Sequence, residues 1–223
     1  MENNYLNIVY SELKKPLTFE YPKQLIAHLI DKYNIKPQSK LLEPGCGRGE
    51  FLYQFKLRDI DCYGFDLYNY KSDKIDIQVK KHDALISPWP YPDNFFDVIY
   101  NKSFIEHFYY PEKLFSEFAR VLKPGGKLIC LTPDYSEIFK TFYDDCTHRT
   151  PFTMKSLEDI NLISGLKNIE VEKFIQLPHL WKNNRMFLIF SKLAKILSPN
   201  FLIKHSKYIR FSKEIMLLSK AEK

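Results

Sequence analysis

A chain of 223 residues has room for one full α/β domain and little for a second. With 45% hydrophobic and 27% charged residues it is neither disordered nor fibrous, and the lack of any run of about 18 apolar residues excludes a membrane-spanning helix. The formal net charge of +6 is local: Lys182 to Lys223 holds ten Lys and Arg against two acids, and the rest of the chain carries a slight acidic excess.

Residues 1–19 read as an irregular arm without the apolar core of a secretory signal. Leu25, Ile26, Leu29 and Ile30 form a helical stripe over 21–33. A short strand at 40–43 runs into LLEPGCGRGEFL, where Gly45, Gly47 and Gly49 use three of the chain's 7 glycines. Phe51, Leu52 and Phe55 share one face of a helix over 50–56. A second strand, DCYGFD, ends in Asp66, and a third within 75–83 ends in Asp83. FFDVIY (95–100) has the length and composition of a fourth strand. Pro111 opens a helix in which Leu114, Phe115, Phe118, Val121 and Leu122 form one apolar face, until Lys123-Pro124-Gly125-Gly126 ends it. A fifth strand is expected at 127–131, a helix at 153–164, a sixth strand at 168–177 and a seventh at 214–221.

Strands alternating with helices predict a parallel sheet covered on both faces. The expected organisation is a single domain over 1–223: an N-terminal arm and helix (1–37), a core (38–177), a basic amphipathic helical insertion (178–212) and the last strand (213–223). Cys46, Cys62, Cys130 and Cys146 are widely spaced and form no CxxC pair, so they read as reduced thiols of a cytoplasmic protein.

In such sheets ligands bind beyond the carboxyl ends of the strands, and the loop after the first strand is the usual place. Glycines there let a ligand reach the main chain. The pattern is ExGxGxG, with Glu43 ahead of the turn; it is neither GxGxxG nor a loop ending in GK[ST]. A carboxylate at that point suits a cationic ligand better than a pyrophosphate.

The stretch resembles motif I of the class I S-adenosylmethionine-dependent methyltransferases. FDVIYNKSFIEHF followed by RVLKPGGKLICLTP is similar to that family's fourth strand, helix and following turn, and the likeness runs over residues 38–175. The resemblance implies a Rossmann-like doubly wound seven-stranded sheet, mostly parallel with an antiparallel last strand. It implies S-adenosyl-L-methionine as cofactor, held by Glu43, Gly45, Cys46, Gly47, Gly49, Asp66, Leu67, Asp83, Ala84 and Asn101. Asp66 stands where the family holds the ribose hydroxyls, and Asp83 near where it meets the adenine amine. Strand-end cap and turn former are the competing readings of the two acids.

Methyl transfer to an alcohol needs a base, which typically contributes about 10²–10⁴-fold. His107 after the fourth strand and His148 after the fifth are the candidates, set against readings in which one packs on a helix and the other pins its loop. The DDxTHxxPF segment resembles one found in methyltransferases of glycan-assembly clusters, which implies a sugar hydroxyl as acceptor. A small-molecule or lipid-like acceptor such as a quinone, and a non-catalytic cofactor-binding partner protein, are the alternatives. Asp144 and Asp145 are weak candidate ligands for a divalent ion. In the tail, MFLIFSKLAKIL (186–197) reads as a membrane-surface helix, a lid or a core cover. Nucleic acid is not an expected partner, because no binding module accompanies the basic residues.

Overall fold

The computed structural model describes residues 19–68, 77, 79–181 and 211–223. The predicted arm, the first residues of the predicted third strand and the tail helix at 186–197 lie outside them.

In chain order the elements are α1 (Glu20–Tyr33), β1 (Lys40–Pro44), α2 (Glu50–Lys56), β2 (Asp61–Asp66), β3 (Val79–Lys81), β4 (Phe96–Lys102), α3 (Pro111–Val121), β5 (Leu122–Pro133), α4 (Tyr135–Ile138), α5 (Met154–Ile163), β6 (Lys167–Phe174) and β7 (Met216–Glu222). The seven strands form one sheet in the order β3-β2-β1-β4-β5-β7-β6. β1 to β5 run parallel, and β7 lies antiparallel between β5 and β6. The expected fold is therefore present. The direction of winding reverses between β1 and β4, so the loops after these strands open a crevice at the carboxyl edge.

Two apolar layers hold the sheet. On one face Leu114, Phe115, Phe118 and Val121 of α3, all fully buried, pack with Leu42, Phe65, Ile99 and Cys130. On the other, Leu25, Ile26 and Leu29 of α1 and Leu52 and Phe55 of α2 cover Leu41, Tyr100 and Ile129. Burying each such side chain contributes about 1.5–3 kcal/mol. Thr153 caps α5: its hydroxyl accepts from the Ser156 N–H, and the Ser156 hydroxyl accepts from the Thr153 N–H in return.

Among the boundaries that differ from the sequence expectation, two have their cause in strand pairing. β5 begins at Leu122 rather than at 127, because Leu122 pairs with Phe96 ahead of a bulge and the glycine turn is absorbed into the strand. β6 stops at Phe174, short of 177, where its pairing with Met216 of β7 ends.

An ion-pair anchor ties α3 to the segment before β4. Arg120 donates from Nη2 and Nε to Glu117, at 2.7 and 3.1 Å, and from Nη1 to Asp93 at 2.6 Å. The Trp89 N–H donates to Glu117 Oε2 at 2.7 Å. Burial alone raises the Glu117 carboxyl, but Arg120 and the Trp89 amide outweigh it and hold it below the usual glutamate range. A depressed carboxyl contributes stability that is present above the unfolded-state value and is lost as pH falls through the folded one. Glu117→Gln is therefore expected to cost about 3 kcal/mol at neutral pH, or about 6–12 °C in Tm, and to flatten the acid limb of stability below about pH 4. Thermal melts of both proteins across that range check it.

Candidate active site

The glycine loop is built by backbone bonds and one carboxylate. The Gly45 and Cys46 N–H groups both donate to the Phe65 carbonyl, at 2.8 and 3.2 Å. The Gly47 N–H donates to Asp66 Oδ2 at 2.9 Å, and Asp66 Oδ1 accepts from the Tyr68 N–H at 3.0 Å. Asp66, 9% exposed, thus fixes the loop after β1 to the end of β2. Gly45, Gly47 and Gly49 all have positive φ, at 64°, 52° and 74°. A Cβ on Gly45 would stand 2.3 Å from the Phe104 ring, whereas a Cβ on Gly47 would meet nothing within 4 Å among the described residues. The main chain at Gly47 is therefore open for a ligand to approach.

Glu43 lies beneath this loop. Burial raises its carboxyl well above the usual range, against the Leu52 N–H, which it accepts from the first turn of α2. It thereby satisfies one of the amides that a helix start leaves without a partner. Its Oε2 is buried with no hydrogen-bond partner among the described residues. Cys46 is buried, and burial pushes its thiol up. All four cysteines are free. Leu67 is half exposed at the rim, Ala84 is buried, and Asp83 accepts the Leu85 N–H at 2.9 Å, shaping the turn after β3. Asn101 is fully buried: its Oδ1 accepts from the Cys130 thiol at 2.9 Å, and its Nδ2 has no partner among the described residues. The structure brings the loop glycines and Asp66 together, while Glu43 and Asn101 are buried.

His107 and His148 do meet. Phe104 leads from β4 into a single helical turn, Ile105–His107, and the loop after β5 folds back over it. The Glu106 carbonyl accepts the Arg149 and Thr150 amides at 2.8 and 3.0 Å. The two imidazoles lie 5.1 Å apart, centroid to centroid. His148 packs on Phe142 at 4.5 Å and donates from Nδ1 to the Phe142 carbonyl at 2.6 Å. Thr147 gives its only hydroxyl hydrogen to Asp145 Oδ1 at 2.6 Å. Its 2.9 Å contact with His107 Nδ1 therefore has the imidazole donating. His148, when neutral, therefore carries its lone pair on Nε2, which lies 3.9 Å from Asp145 Oδ2. Burial, and then His148, lower the His107 value, so that ring is neutral at physiological pH.

Glu106, whose role the sequence left unassigned, completes the group. It is fully buried, its Oε2 accepts from the Thr132 hydroxyl at 3.0 Å, and its Oε1 has no partner among the described residues. Burial pushes its carboxyl up to about 7, against the pull of nearby backbone amides, Thr132 and Lys102. Ligand atoms of Glu106, His107 and His148 lie within 4.8 Å of one another. Of the cation candidates read from the sequence, Asp145 holds Thr147 through Oδ1 and has Oδ2 3.9 Å from His148 Nε2, and among the described residues neither it nor Asp144 belongs to that three-residue group. An acid inside the apolar run SFIEHF was the available signal for Glu106.

This strand order, with an antiparallel β7, a glycine loop after β1 and an acid closing β2, defines the class I methyltransferase architecture. A family model described as a methyltransferase domain matches residues 18–171, and the chain belongs to that family. Phosphoethanolamine N-methyltransferase 3 of Arabidopsis thaliana is 37% identical over 121 residues, 50% of this chain and 24% of that protein. Phosphoethanolamine N-methyltransferase 1 of Triticum aestivum is 31% identical over 71% of this chain and 36% of its own length. The chain thus spans well under half of these relatives. Among solved structures, a SAM-dependent methyltransferase from Archaeoglobus fulgidus aligns with a TM-score of 0.66 at 22% identity, over 99% of this chain and 100% of that one. Haemonchus contortus phosphoethanolamine N-methyltransferase 2, in complex with S-adenosyl-L-methionine, aligns with a TM-score of 0.63 at 23% identity, over 90% and 52%. At these identities the structural likeness is one of fold. No helix of the described residues is long and apolar enough to cross a membrane.

Proposed function

We propose that the chain transfers a methyl group from S-adenosyl-L-methionine to a small acceptor whose nucleophile must first lose a proton, a sugar hydroxyl on a glycan or glycolipid being the preferred case. The observation that carries this reading is the pair of imidazoles, His107 and His148, held beside a buried carboxyl at the turn that follows Phe104, whose ring lies against Gly45. Gly45, Gly47, Gly49 and Asp66 would hold the cofactor, with Asp83 and Ala84 at its adenine end. Bound there, it supplies a methyl group already activated on a sulfonium. The protein's task is then to align the acceptor and take its proton. Alignment can supply about 7–11 kcal/mol of the barrier, and His148, with its Nδ1–H fixed on a carbonyl, offers Nε2 as the base.

A second reading takes an amine acceptor, because several curated relatives at 31–37% identity are phosphoethanolamine N-methyltransferases. An ammonium must also lose a proton, so the same base serves. Incubation with methyl-labelled cofactor and a panel of saccharides, glycolipids and phosphoethanolamine tests both. Label in saccharide supports the first reading, and label in phosphoethanolamine alone replaces it with the second. Retained cofactor affinity without any transfer would defeat both.

Asp66→Asn is expected to weaken S-adenosylhomocysteine binding about 10–100-fold. The substitution removes one charge-assisted acceptor of about 1.5–3 kcal/mol, and each 1.4 kcal/mol is about tenfold in affinity. Isothermal titration calorimetry on both proteins reads it directly.

A further inference from the structure

We propose that Glu106, His107 and His148 form a binding site for one divalent first-row transition-metal ion at the acceptor end of the crevice. The proposal places a cation within the acceptor region of the methyl-transfer reading above.

Three features of the cluster carry it. The donor atoms converge from two segments distant in sequence, and lie within 4.8 Å of one another. Ligands on one ion at about 2.0–2.2 Å stand roughly 3–3.5 Å apart, so modest side-chain rotations close the site. The carboxylate is fully buried and its Oε1 has no partner among the described residues, although the Thr132 hydroxyl fixes Oε2. A buried oxygen without a partner is costly, and a cation is the partner that suits an acceptor-only atom.

The third feature is the outer layer of hydrogen bonds. Metal-bound histidines hold the other ring N–H on a carbonyl, hydroxyl or carboxylate, which fixes the tautomer and aims the lone pair. Both rings here are held that way: His148 Nδ1–H on the Phe142 carbonyl, and His107 Nδ1–H on Thr147, whose hydroxyl is in turn held by Asp145. The acids Asp144 and Asp145 are thus not required as ligands. Asp145 is a positioning residue, acting through Thr147.

The donor set selects the ion. Two imidazole nitrogens and one carboxylate oxygen suit Mn²⁺, Fe²⁺, Co²⁺, Ni²⁺ or Zn²⁺, whereas Mg²⁺ and Ca²⁺ prefer oxygen alone. Three protein ligands leave coordination positions open. With both imidazole lone pairs on the ion neither ring could act as the base, so the ion would take over that task as a Lewis acid that lowers the pKa of an acceptor hydroxyl.

The test uses the full chain stripped with chelator and titrated without any acceptor. Calorimetry with Zn²⁺ and Mg²⁺, and visible absorption with Co²⁺, give stoichiometry and ligand field. One equivalent of Zn²⁺ is expected, bound at least about 100-fold more tightly than Mg²⁺. Glu106→Gln and His148→Ala should each abolish the Co²⁺ spectrum, and Thr147→Val should weaken binding about 10–100-fold through the outer layer. S-adenosylhomocysteine affinity, measured on every variant, should persist. If Glu106→Gln does not fold, the His148 and Thr147 variants carry the test. Absence of stoichiometric binding would overturn the proposal, and so would binding unaltered by these substitutions, which would mark a surface site such as the exposed Cys146. Because metal binding is read without acceptor, its failure leaves the methyl-transfer reading untouched, and the labelled-cofactor panel judges that reading separately.

Discussion

His148→Ala is expected to lower kcat for methyl transfer by about 10²–10⁴-fold, the usual contribution of a positioned base, while leaving affinity for S-adenosylhomocysteine unchanged. The imidazole has one orientation: its Nδ1–H is on the Phe142 carbonyl at 2.6 Å and its face is on the Phe142 ring. Losing it removes Nε2, which lies 3.9 Å from Asp145 Oδ2, without touching the loop around Gly47 or the Asp66 carboxylate. Steady-state kinetics and calorimetry on the same protein separate the two effects. If His148 only pins its loop, the substitution lowers Tm and leaves kcat in place. That outcome would move the base to His107, whose Nδ1–H is likewise fixed, on Thr147.

The second large effect is expected at the glycines, and it differs between neighbours. Gly45→Ala puts a methyl group 2.3 and 2.6 Å from two carbons of the Phe104 ring. Phe104 is buried against Phe108 at 4.9 Å and has little room to yield. Left-handed backbone costs about 1–2 kcal/mol for a residue with a Cβ, and overpacking adds about 1–3 kcal/mol. Gly45→Ala should therefore lower stability by about 2–5 kcal/mol. Phe104 also leads into the turn that carries Glu106 and His107, so its displacement should reduce activity as well. Gly47→Ala meets no neighbour among the described residues, so only the backbone cost applies to the free protein. Its methyl group enters the space reserved for ligand, and cofactor affinity should fall more than stability. Chemical denaturation beside calorimetry distinguishes the pair; equal losses of stability would refute the distinction.

The sequence carried the sheet well because its signals were local. LLEP, DCYGFD and FFDVIY are short apolar runs bounded by turns, and the α3 stripe at Leu114, Phe115, Phe118 and Val121 has one possible buried face. Pairing decided what patterning did not. Leu122 became strand because Phe96 lay opposite it, and no local pattern announces that partner. The site divided the same way. Three glycines in alternation announced an exposed main chain, and Asp66 at a strand end announced its clamp. Asn101 also ends a strand, yet its side chain goes to Cys130, since the side a strand residue faces depends on register and sheet neighbours. Glu106 showed only as an acid inside an apolar run, because its burial and its meeting with His148, 42 residues away, arise only when the loop after β5 folds back.

The position of β7 has a consequence for synthesis. Residues 216–222 are made after the other six strands of the sheet, yet they occupy an interior slot, bonded to β5 on one side and β6 on the other. Until they emerge from the ribosome, β5 offers a bare edge and β6 has no companion to zip onto. Such edges recruit neighbouring chains, and contacts this distant in sequence form slowly. The nascent domain is therefore vulnerable to aggregation until β7 is made, and chaperone dependence should concentrate in the interval between synthesis of β6 and synthesis of β7.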